Sequence, residues 1–503
     1  MADLIIETTC GQVRGERRED VAVWKGIPYA APPVGALRFR PPQPPAPWTG
    51  VRDATRFGAV AAQSRDPRTA MFTGVTDKVS SGEDCLVLNV FAPTGESAPA
   101  GPWPVMVWIH GGAFVFGSGS MPLYHGAPFT AGGIVVVTIN YRLGVPGFLY
   151  LGDLAPGRDE GNYGLLDQIA ALRWVRDNIA AFGGDPGQVT VMGESAGAIS
   201  IGVLLAMPAA RGLFQRAILE SGAAALSPPS RADATQLARS VLAELAVDVD
   251  ELAAVPIDRL MAAQDHITRS HGLGAFAPCV DGVTVPRSAI AAIADGDAPA
   301  IPLLIGTNRD EWTLFEVLFG EVTVEAFQPV LRDRLGPLVD RMLEVYRDDH
   351  PGRSLSRAWV DLIGDLVFRI PALRLAEDLA RHGAPVYVYR FDWKSPAFGG
   401  RLGATHALEL PFVWNRLDLP IAPVMLGDRL FTLQPLATAI HRAWAQFIRT
   451  GDPNGGGGLP AWPRYDADRR ATLLIDRESR IADDPGGAAR MLWPAVWPAS
   501  ERD

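Results

Sequence analysis

Cysteine is scarce in this chain of 503 residues, which contains only Cys10, Cys85 and Cys279. Secreted proteins held by disulfides carry more cysteines, usually an even number, so a disulfide scaffold is not expected. The first residues, MADLIIETTC, lack a basic segment followed by an apolar stretch, and no signal peptide is predicted. A run of about 18 apolar residues, the length of a membrane span, is also missing. Together these absences predict a cytoplasmic protein without membrane contact.

An excess of positive charge is missing too, since the formal net charge is −10. A nucleic-acid-binding surface needs a basic footprint, so nucleic acid is excluded as an expected partner. Hydrophobic residues make up 48% of the chain and charged residues 20%, as in globular proteins with a large core. Because neither repeats nor a linker interrupts the sequence, we expect residues 1–503 to form a single domain.

Short apolar runs alternate with a helical pattern through the middle of the chain. Val105–Ile109 and Ile134–Ile139 are rich in β-branched residues and apolar on both faces, which is typical of central strands covered on both sides. A helical pattern over Gly164–Ala181 stops at glycines and a proline, and the strand pattern Gln188–Met192 follows. This alternation predicts an α/β fold with a large, mostly parallel sheet and helices on both faces.

The remaining segments extend this architecture. The first 30 or so residues predict a short β-meander with turn glycines. Helical patterns fill residues 227–300 and 315–382, next to the strand patterns Ile301–Ile305 and Val386–Tyr389. Because they interrupt a series of strands, we interpret the two helical stretches as cap-like insertions within the domain.

Ser195 is the candidate nucleophile. Gly193–Gly197 reads G-x-S-x-G, a strand-to-helix turn that exposes a serine hydroxyl, and it follows a β-branched strand pattern as that turn requires. The pentapeptide alone is weak evidence, because Gly95–Pro99 matches its first four positions. That second copy follows no such strand and runs into proline-rich coil, so we interpret it as a surface loop.

A glycine-rich segment directly after the strand Val105–Ile109 is the candidate for stabilising the negative charge that forms when the serine attacks. His110-Gly111-Gly112-Ala113-Phe114 has the small residues that let backbone N–H groups approach a negatively charged oxygen. Gly112 and Ala113 are therefore predicted to donate to an oxyanion, together with Ala196, the residue after the nucleophile.

A serine nucleophile needs a base, and the chain has eight histidines. His406 is favoured because it lies in a loop near the end of the chain, after the strand Val386–Tyr389. His110 belongs to the oxyanion segment, His441 to a helical run, and the others to loops or polar helical stretches. For the acid that orients the histidine, Asp310 and Glu311 follow a strand, and these residues alone leave the choice open. Glu409 is a further alternative.

These residues and the segments around them resemble the type B carboxylesterases, the family of the cholinesterases and the bacterial p-nitrobenzyl esterases. The resemblance covers nearly the whole chain. It rests on ordered matches at GIPYAAPPVGALRF (Gly26–Phe39), SGEDCLVLNV (Ser81–Val90), WIHGGAF (Trp108–Phe114), NYRLGVPGF (Asn140–Phe148), GNYGLLDQIAALRWVRDNIAAFGGDP (Gly161–Pro186), VTVMGESAG (Val189–Gly197), RGLFQRAILESG (Arg211–Gly222), FAPCVDG (Phe276–Gly282), GTNRDE (Gly306–Glu311), THALELPFVW (Thr405–Trp414) and FIRTGDPN (Phe447–Asn454).

The resemblance implies the α/β-hydrolase fold and a triad of Ser195, His406 and Glu311, with Asp310 in a supporting role. By the same resemblance, Glu194 and Ser221 lie behind the triad. Secreted relatives bridge the cysteine of the SEDCL segment to an upstream cysteine, but residues 57–63 of this chain contain alanine instead. We therefore expect Cys85 to be a free, buried thiol, as in a cytoplasmic bacterial enzyme.

The expected activity is hydrolysis of small, largely apolar carboxylic esters through an acyl-enzyme, without metal or cofactor. The expected partner is the small-molecule ester alone, and the protein is expected to be a monomer or a small homo-oligomer. A carbamate, amide or lactone hydrolase with the same triad is the alternative. A non-catalytic binding protein on the esterase fold is disfavoured because the triad is present. Four aromatic residues are predicted to line the substrate pocket: Phe114, Phe116, Phe412 and Trp414.

Overall fold

The computed structural model describes residues 4–65, 79–94, 101–158, 160–225, 228–320, 328–329, 331–332, 335–348 and 354–493. The segment Gly95–Pro99 lies outside the described residues. The chain forms two compact units. The first unit comprises Met1–Ile218, Ser227–Ala289 and Ile448–Thr450, and the second comprises Leu219–Leu226, Ile290–Phe447 and Gly451–Asp503.

A mixed sheet forms the frame of the first unit. Its strands run in the order β1-β2-β3-β7-β9-β8-β10-β11, with β4 beside β2, while β5 and β6 pair separately. The pairs from β1 to β9 along this order are antiparallel, whereas β8 is parallel to both β9 and β10. The strands are β1 (Leu4–Thr8), β2 (Gly11–Arg18), β3 (Val21–Pro28), β4 (Val51–Asp53), β5 (Val60–Ala61), β6 (Ser81–Gly82), β7 (Val87–Pro93), β8 (Trp103–Ile109), β9 (Val135–Ile139), β10 (Gly184–Glu194) and β11 (Arg216–Glu220), the last of which leads into the second unit.

Helices accompany this sheet. They are α1 (Ala127–Thr130), α2 (Gly144–Phe148), α3 (Tyr163–Asn178), α4 (Ala196–Ala206), α5 (Arg231–Leu245) and α6 (Ile257–His271). A short 3₁₀ turn extends α3, and the chain then leaves it through Gly183, whose φ of 84° a residue with a side chain would adopt only with strain. Helix α5 begins with a capping box between Ser230 and Asp233, which satisfies free N–H groups of its first turn.

The second unit contains a smaller group of strands. Strands β12 (Leu303–Asn308), β13 (Val386–Phe391) and β14 (Ala471–Ile475) are parallel, and β15 (Arg480–Asp483) is antiparallel to β14. A π-helical segment, Asp365–Arg369, connects two of its helices. The helices are α7 (Ala289–Ala294, which begins in the first unit), α8 (Thr313–Phe319), α9 (Leu338–Asp348), α10 (Leu355–Gly364), α11 (Ile370–Arg381), α12 (Leu410–Val413), α13 (Ala422–Leu426), α14 (Gln434–Thr450, which ends in the first unit) and α15 (Gly487–Arg490).

Most elements expected from the sequence are present. The β-meander corresponds to β1–β3, the two predicted central strands are β8 and β9, and the helix after them is α3. Every residue of β9 is buried, as expected for a strand that is apolar on both faces. The two predicted helical stretches contain α5–α7 and α9–α11, and their role as caps of a single domain stays a prediction.

Candidate active site

Ser195 lies at a sharp turn between β10 and α4. Its φ of 54° and ψ of −121° are strained for a residue with a side chain, and the residue is half-buried. The neighbours of Ser195 explain why the turn needs glycine. A Cβ on Gly197 would overlap the carbonyl oxygen of Ile109, and one on Gly193 would lie 2.8 Å from the same atom. The turn can therefore approach β8 only with glycine on both sides of the serine.

The predicted oxyanion segment follows β8 directly. Gly112, Ala113 and Phe114 have consecutive positive φ angles of 112°, 51° and 62°. Within the described part of the chain, no acceptor takes the backbone N–H groups of Gly112, Ala113 or Ala196. Ala196 is the first residue of α4, where a helical N–H has no partner inside its own helix. The three predicted donors therefore have the capacity to bind an anion.

His110 is packed beneath this segment. Its ring stacks on that of Tyr141 at a centroid distance of 4.5 Å, and the Tyr141 hydroxyl donates to the His110 carbonyl at 2.8 Å. Burial lowers the pKa of the His110 imidazole to about 4, so the ring is neutral at physiological pH. The packing and the lowered pKa agree with a structural role for this histidine.

The buried His110 gives the protein a characteristic pH dependence. In the unfolded chain a histidine takes up a proton near pH 6.5, whereas folded His110 stays neutral down to about pH 4. The unfolded state binds more protons between these values, so the free energy of unfolding falls as the pH falls. Because of His110, the free energy of unfolding of the wild-type protein should fall by about 3 kcal/mol between pH 7 and pH 4. His110→Phe should lack this part of the decrease, and urea unfolding at each pH measures it.

The matched control for this prediction is His271→Phe. His271 is exposed at the end of α6. The ring contacts the Ser270 hydroxyl at 2.9 Å, and its replacement leaves His110 in place, so the variant should keep the pH-dependent loss that His110 causes. An unchanged slope in His110→Phe would show that the folded protein protonates the ring without penalty.

In the second unit, His406 contacts Glu311 directly. The distance between His406 Nδ1 and Glu311 Oε2 is 2.7 Å, and both side chains are buried. The other carboxylate oxygen of Glu311 accepts a hydrogen bond of 2.7 Å from the backbone N–H of Asn308. This second bond fixes the carboxylate plane, so the oxygen facing His406 is held in place.

Asp310 has different partners from its neighbour. One of its oxygens pairs with Arg357 at 2.6 Å and the other accepts the N–H of Ala404 at 2.9 Å. A Cβ on Gly403 would lie 2.5 Å from this carboxylate, so only glycine allows the approach. Asp310 thus anchors the backbone two residues before His406, which fits the supporting role that the resemblance implied.

Asn308 and Arg357 contact the candidate site residues, and the sequence reasoning missed both. The side-chain amide of Asn308 donates to the Thr405 carbonyl at 2.6 Å and to the carboxylate of Glu409, the alternative acid. Asn308 lies inside the matched segment GTNRDE, which is a signal that could have drawn attention to it. Arg357 lies on α10, far from any motif, and nothing in its surrounding sequence indicates a partner.

Aromatic rings surround the imidazole of His406. The ring centroid of Phe315 lies 5.2 Å from it and that of Phe368 lies 4.6 Å from it. Phe368 belongs to the π-helical segment, and π-helical turns occur frequently at functional sites. The surroundings of the histidine are therefore largely apolar on the side of these two rings.

The predicted pocket residues differ in burial. Phe114 packs edge-on against Phe148 at 5.0 Å, and Phe116 is half-buried. Phe412 and Trp414 are fully buried in the second unit, where Phe412 contacts neighbouring aromatic rings of β13 and the segment after it. Their contact with a substrate stays a prediction.

The residues expected behind the triad are also buried. The Glu194 carboxylate lies close to Gly111, because a Cβ on that glycine would be 2.6 Å from Oε2. Ser221 has a positive φ of 48° and its N–H donates to the Gly306 carbonyl in β12. Both positions are compatible with a supporting role, which stays a prediction.

Three further observations concern the rest of the chain. Cys85 is buried and free, as expected, and its burial raises the pKa of the thiol. Among the described residues, no group of three or more His, Cys, Asp or Glu side chains is arranged to hold a metal ion. In the same ranges, no helix combines the length and apolar character that a membrane crossing requires.

Comparisons with known proteins place these features in a family. A profile described as the carboxylesterase family matches residues 2–492. The chain belongs to the carboxylesterase family. It is 42% identical to the para-nitrobenzyl esterase of Bacillus subtilis (strain 168), over 98% of this chain and 99% of that protein. It is 37% identical to the phenmedipham hydrolase of Pseudarthrobacter oxydans, over 95% and 97% of the two chains.

Solved structures of carboxylesterases agree with this assignment. The crystal structure of a carboxylesterase from Geobacillus stearothermophilus matches with a TM-score of 0.86 and 42% identity, over 97% of this chain and 99% of that one. A structure of a PNB esterase matches with a TM-score of 0.86 and 40% identity, over 98% and 99%. The predicted α/β-hydrolase fold and the resemblance to type B carboxylesterases are thus confirmed, and this carboxylesterase is an ester hydrolase.

Proposed function

We propose that this carboxylesterase hydrolyses small, largely apolar esters by acyl transfer through Ser195, with His406 as base and Glu311 as the orienting acid. The observation that carries the proposal is the 2.7 Å contact between Glu311 Oε2 and His406 Nδ1. A carboxylate at this distance keeps the proton on Nδ1, which leaves Nε2 free to accept a proton from a serine.

The first half of the reaction forms the acyl-enzyme. His406 Nε2 removes the Ser195 proton while Oγ attacks the ester carbonyl carbon, whose π electrons move onto oxygen. The N–H groups of Gly112, Ala113 and Ala196 stabilise that oxyanion. When the carbonyl re-forms, the bond to the alcohol oxygen breaks, and the alcohol leaves with the proton from His406.

The second half regenerates the enzyme. His406 accepts a proton from water, whose oxygen attacks the acyl carbon and displaces Ser195 Oγ through a second oxyanion. The serine recovers its proton from His406 and the carboxylic acid departs. Glu311 stabilises the imidazolium in both halves, a role supported by its burial and by the hydrogen bond from Asn308.

An apolar substrate is favoured by what surrounds the base. The rings of Phe315 and Phe368 lie beside His406, so the imidazole has an apolar surface on that side. An apolar acyl or alcohol group next to the base would be removed from water, which is favourable in proportion to the area buried. The relative named para-nitrobenzyl esterase acts, by its name, on an ester with an aromatic group.

Covalent labelling tests the assignment of the nucleophile. A fluorophosphonate should react with the wild-type protein at one site per chain, and peptide mass spectrometry should find the label on Ser195, because only an activated serine displaces the fluoride. Ser200→Ala is the matched control, since Ser200 is buried in α4 and its hydroxyl bonds the Ala196 carbonyl. This variant should label normally. Stoichiometric labelling of another residue would contradict the proposal.

A further inference from the structure

The loop after the predicted oxyanion donors is held by an amide side chain far upstream in sequence. Gln63 is buried, with 5% of its surface exposed. Its Oε1 accepts the N–H of Gly117 at 2.8 Å, and its Nε2 donates to the Gly117 carbonyl at 3.0 Å and to the Ala61 carbonyl at 2.9 Å. The side chain thus binds the two polar backbone groups of one glycine and satisfies its own amide at the same time.

Gly117 transmits this constraint to the oxyanion segment. Its φ is 109°, and a Cβ at this position would lie 2.5 Å from the Gly111 carbonyl oxygen and 2.6 Å from His110 Nδ1. Gly117 therefore packs directly against the peptide that precedes Gly112. The Gly112 carbonyl in turn accepts the N–H groups of Val115 and Phe116, both at 3.0 Å.

A second amide supports the same loop from its far end. The Asn140 Oδ1 accepts the N–H of Gly119 at 2.9 Å, and its Nδ2 donates to the Ala59 carbonyl at 3.1 Å. The short strand β5 and its continuation to Gln63 are thereby tied to the loop at two places. Of these two amides, it is Gln63 that binds Gly117, the glycine that touches Gly111.

We propose that Gln63 is a positioning residue of the oxyanion hole: by holding the Gly117 peptide against Gly111, it sets the orientation of the Gly112 and Ala113 N–H groups. This inference rests on the proposed function, because it concerns donors that act only when an oxyanion forms. Without the amide, the loop loses two hydrogen bonds, which leaves the polar groups of Gly117 unsatisfied in a buried place, and the Ala61 carbonyl loses a third. The loop would then shift to recover partners, and the donors would move with it.

The test compares Gln63→Met with wild type on a chromogenic ester. Methionine has a similar length but makes no comparable hydrogen bonds, so kcat should fall about 10- to 100-fold with KM nearly unchanged, because the donors act on the transition state. The matched control is Asn178→Ala, which removes a buried amide that binds the N–H of Thr9 and the Trp174 carbonyl. The control should keep the wild-type kcat even where its thermal stability falls.

A transition-state analogue gives a readout that a general loss of stability would not change. A trifluoromethyl ketone forms a bond from its carbonyl carbon to Ser195 Oγ, its carbonyl oxygen becomes an oxyanion, and the serine proton passes to His406. Its affinity for Gln63→Met should fall by the same factor as kcat/KM. Wild-type turnover without a covalent label on Ser195 would overturn the proposed nucleophile. An unchanged kcat and ketone affinity in Gln63→Met would overturn the role of Gln63 alone.

Gln63→Glu keeps the test decisive if the methionine variant does not fold. An ionised carboxylate can still accept from Gly117 but cannot donate to its carbonyl, whereas the protonated acid recovers one donor. Burial favours the protonated form, so kcat of Gln63→Glu divided by that of wild type should rise as the pH is lowered from 8 to 5. A ratio that stays constant with pH, or losses in the Gln63 variants equal to those of Asn178→Ala, would overturn the inference.

Discussion

Replacing Ser195 by alanine is expected to lower kcat about a million-fold, to a rate measurable only with an activated ester over long times. The reason is that the variant has no oxygen to form the acyl-enzyme, while the N–H groups of Gly112, Ala113 and Ala196 remain. Binding of an ester should be nearly unchanged, because the hydroxyl adds little to ground-state contacts. The measurement is steady-state hydrolysis together with the affinity for a non-hydrolysable ester analogue.

Ser200→Ala provides the comparison for this variant as well. It removes a serine hydroxyl from α4, the helix that begins directly after Ser195, where Ser200 Oγ donates to the Ala196 carbonyl and accepts from Gln168. Its kcat should stay within about tenfold of wild type, since it acts on the helix and not on the ester. A Ser195→Ala protein with a kcat close to that of Ser200→Ala would refute the assignment of the nucleophile.

Glu311→Gln is expected to lower kcat by about four orders of magnitude. Glutamine has one acceptor oxygen, and the N–H of Asn308 needs it. The NH₂ group of the glutamine then faces His406 Nδ1 and favours the tautomer with the proton on Nε2. A histidine in that state cannot accept a proton from serine, so the loss falls on kcat and not on the affinity for substrate.

Asp310→Asn is the matched comparison, because it makes the same change of charge one residue away. Asp310 binds Arg357 and the N–H of Ala404, so its replacement should weaken the fold around His406 and leave kcat within about tenfold of wild type. Steady-state kinetics on both purified variants, with thermal unfolding as a check, separates the two residues. The reverse order of losses would transfer the role of the acid to Asp310.

Much of the fold could be predicted from the sequence, because the central strands have a recognisable apolar pattern. Strand β8 is a run of apolar residues, and β9 is apolar except for Thr138. The turn that carries the proposed nucleophile follows β10, with glycine at the two positions where a Cβ would collide with Ile109. These features depend on neighbours close in sequence or on a strand period. Local patterns therefore suffice to predict them.

The partners of the carboxylates could not be predicted in this way. Asp310 and Glu311 are adjacent, of the same chemistry, and both buried, and what separates them is the direction in which each oxygen points. That direction depends on Arg357, on Ala404 and on the N–H of Asn308, contacts that no periodic pattern encodes. Gln63 escaped notice for the same reason, since it lies 54 residues before the glycine that it binds.

The run of left-handed residues at Gly112–Phe114 has a consequence for the reaction as a whole. Ala113 and Phe114 each hold a conformation that costs about 1–2 kcal/mol for a residue with a side chain, and the folded protein bears this cost before any substrate arrives. In the proposed mechanism, the amide dipoles of this segment do not have to rotate when charge develops, because folding has already oriented them. An ester bound there would meet amide groups whose orientation already suits the transition state.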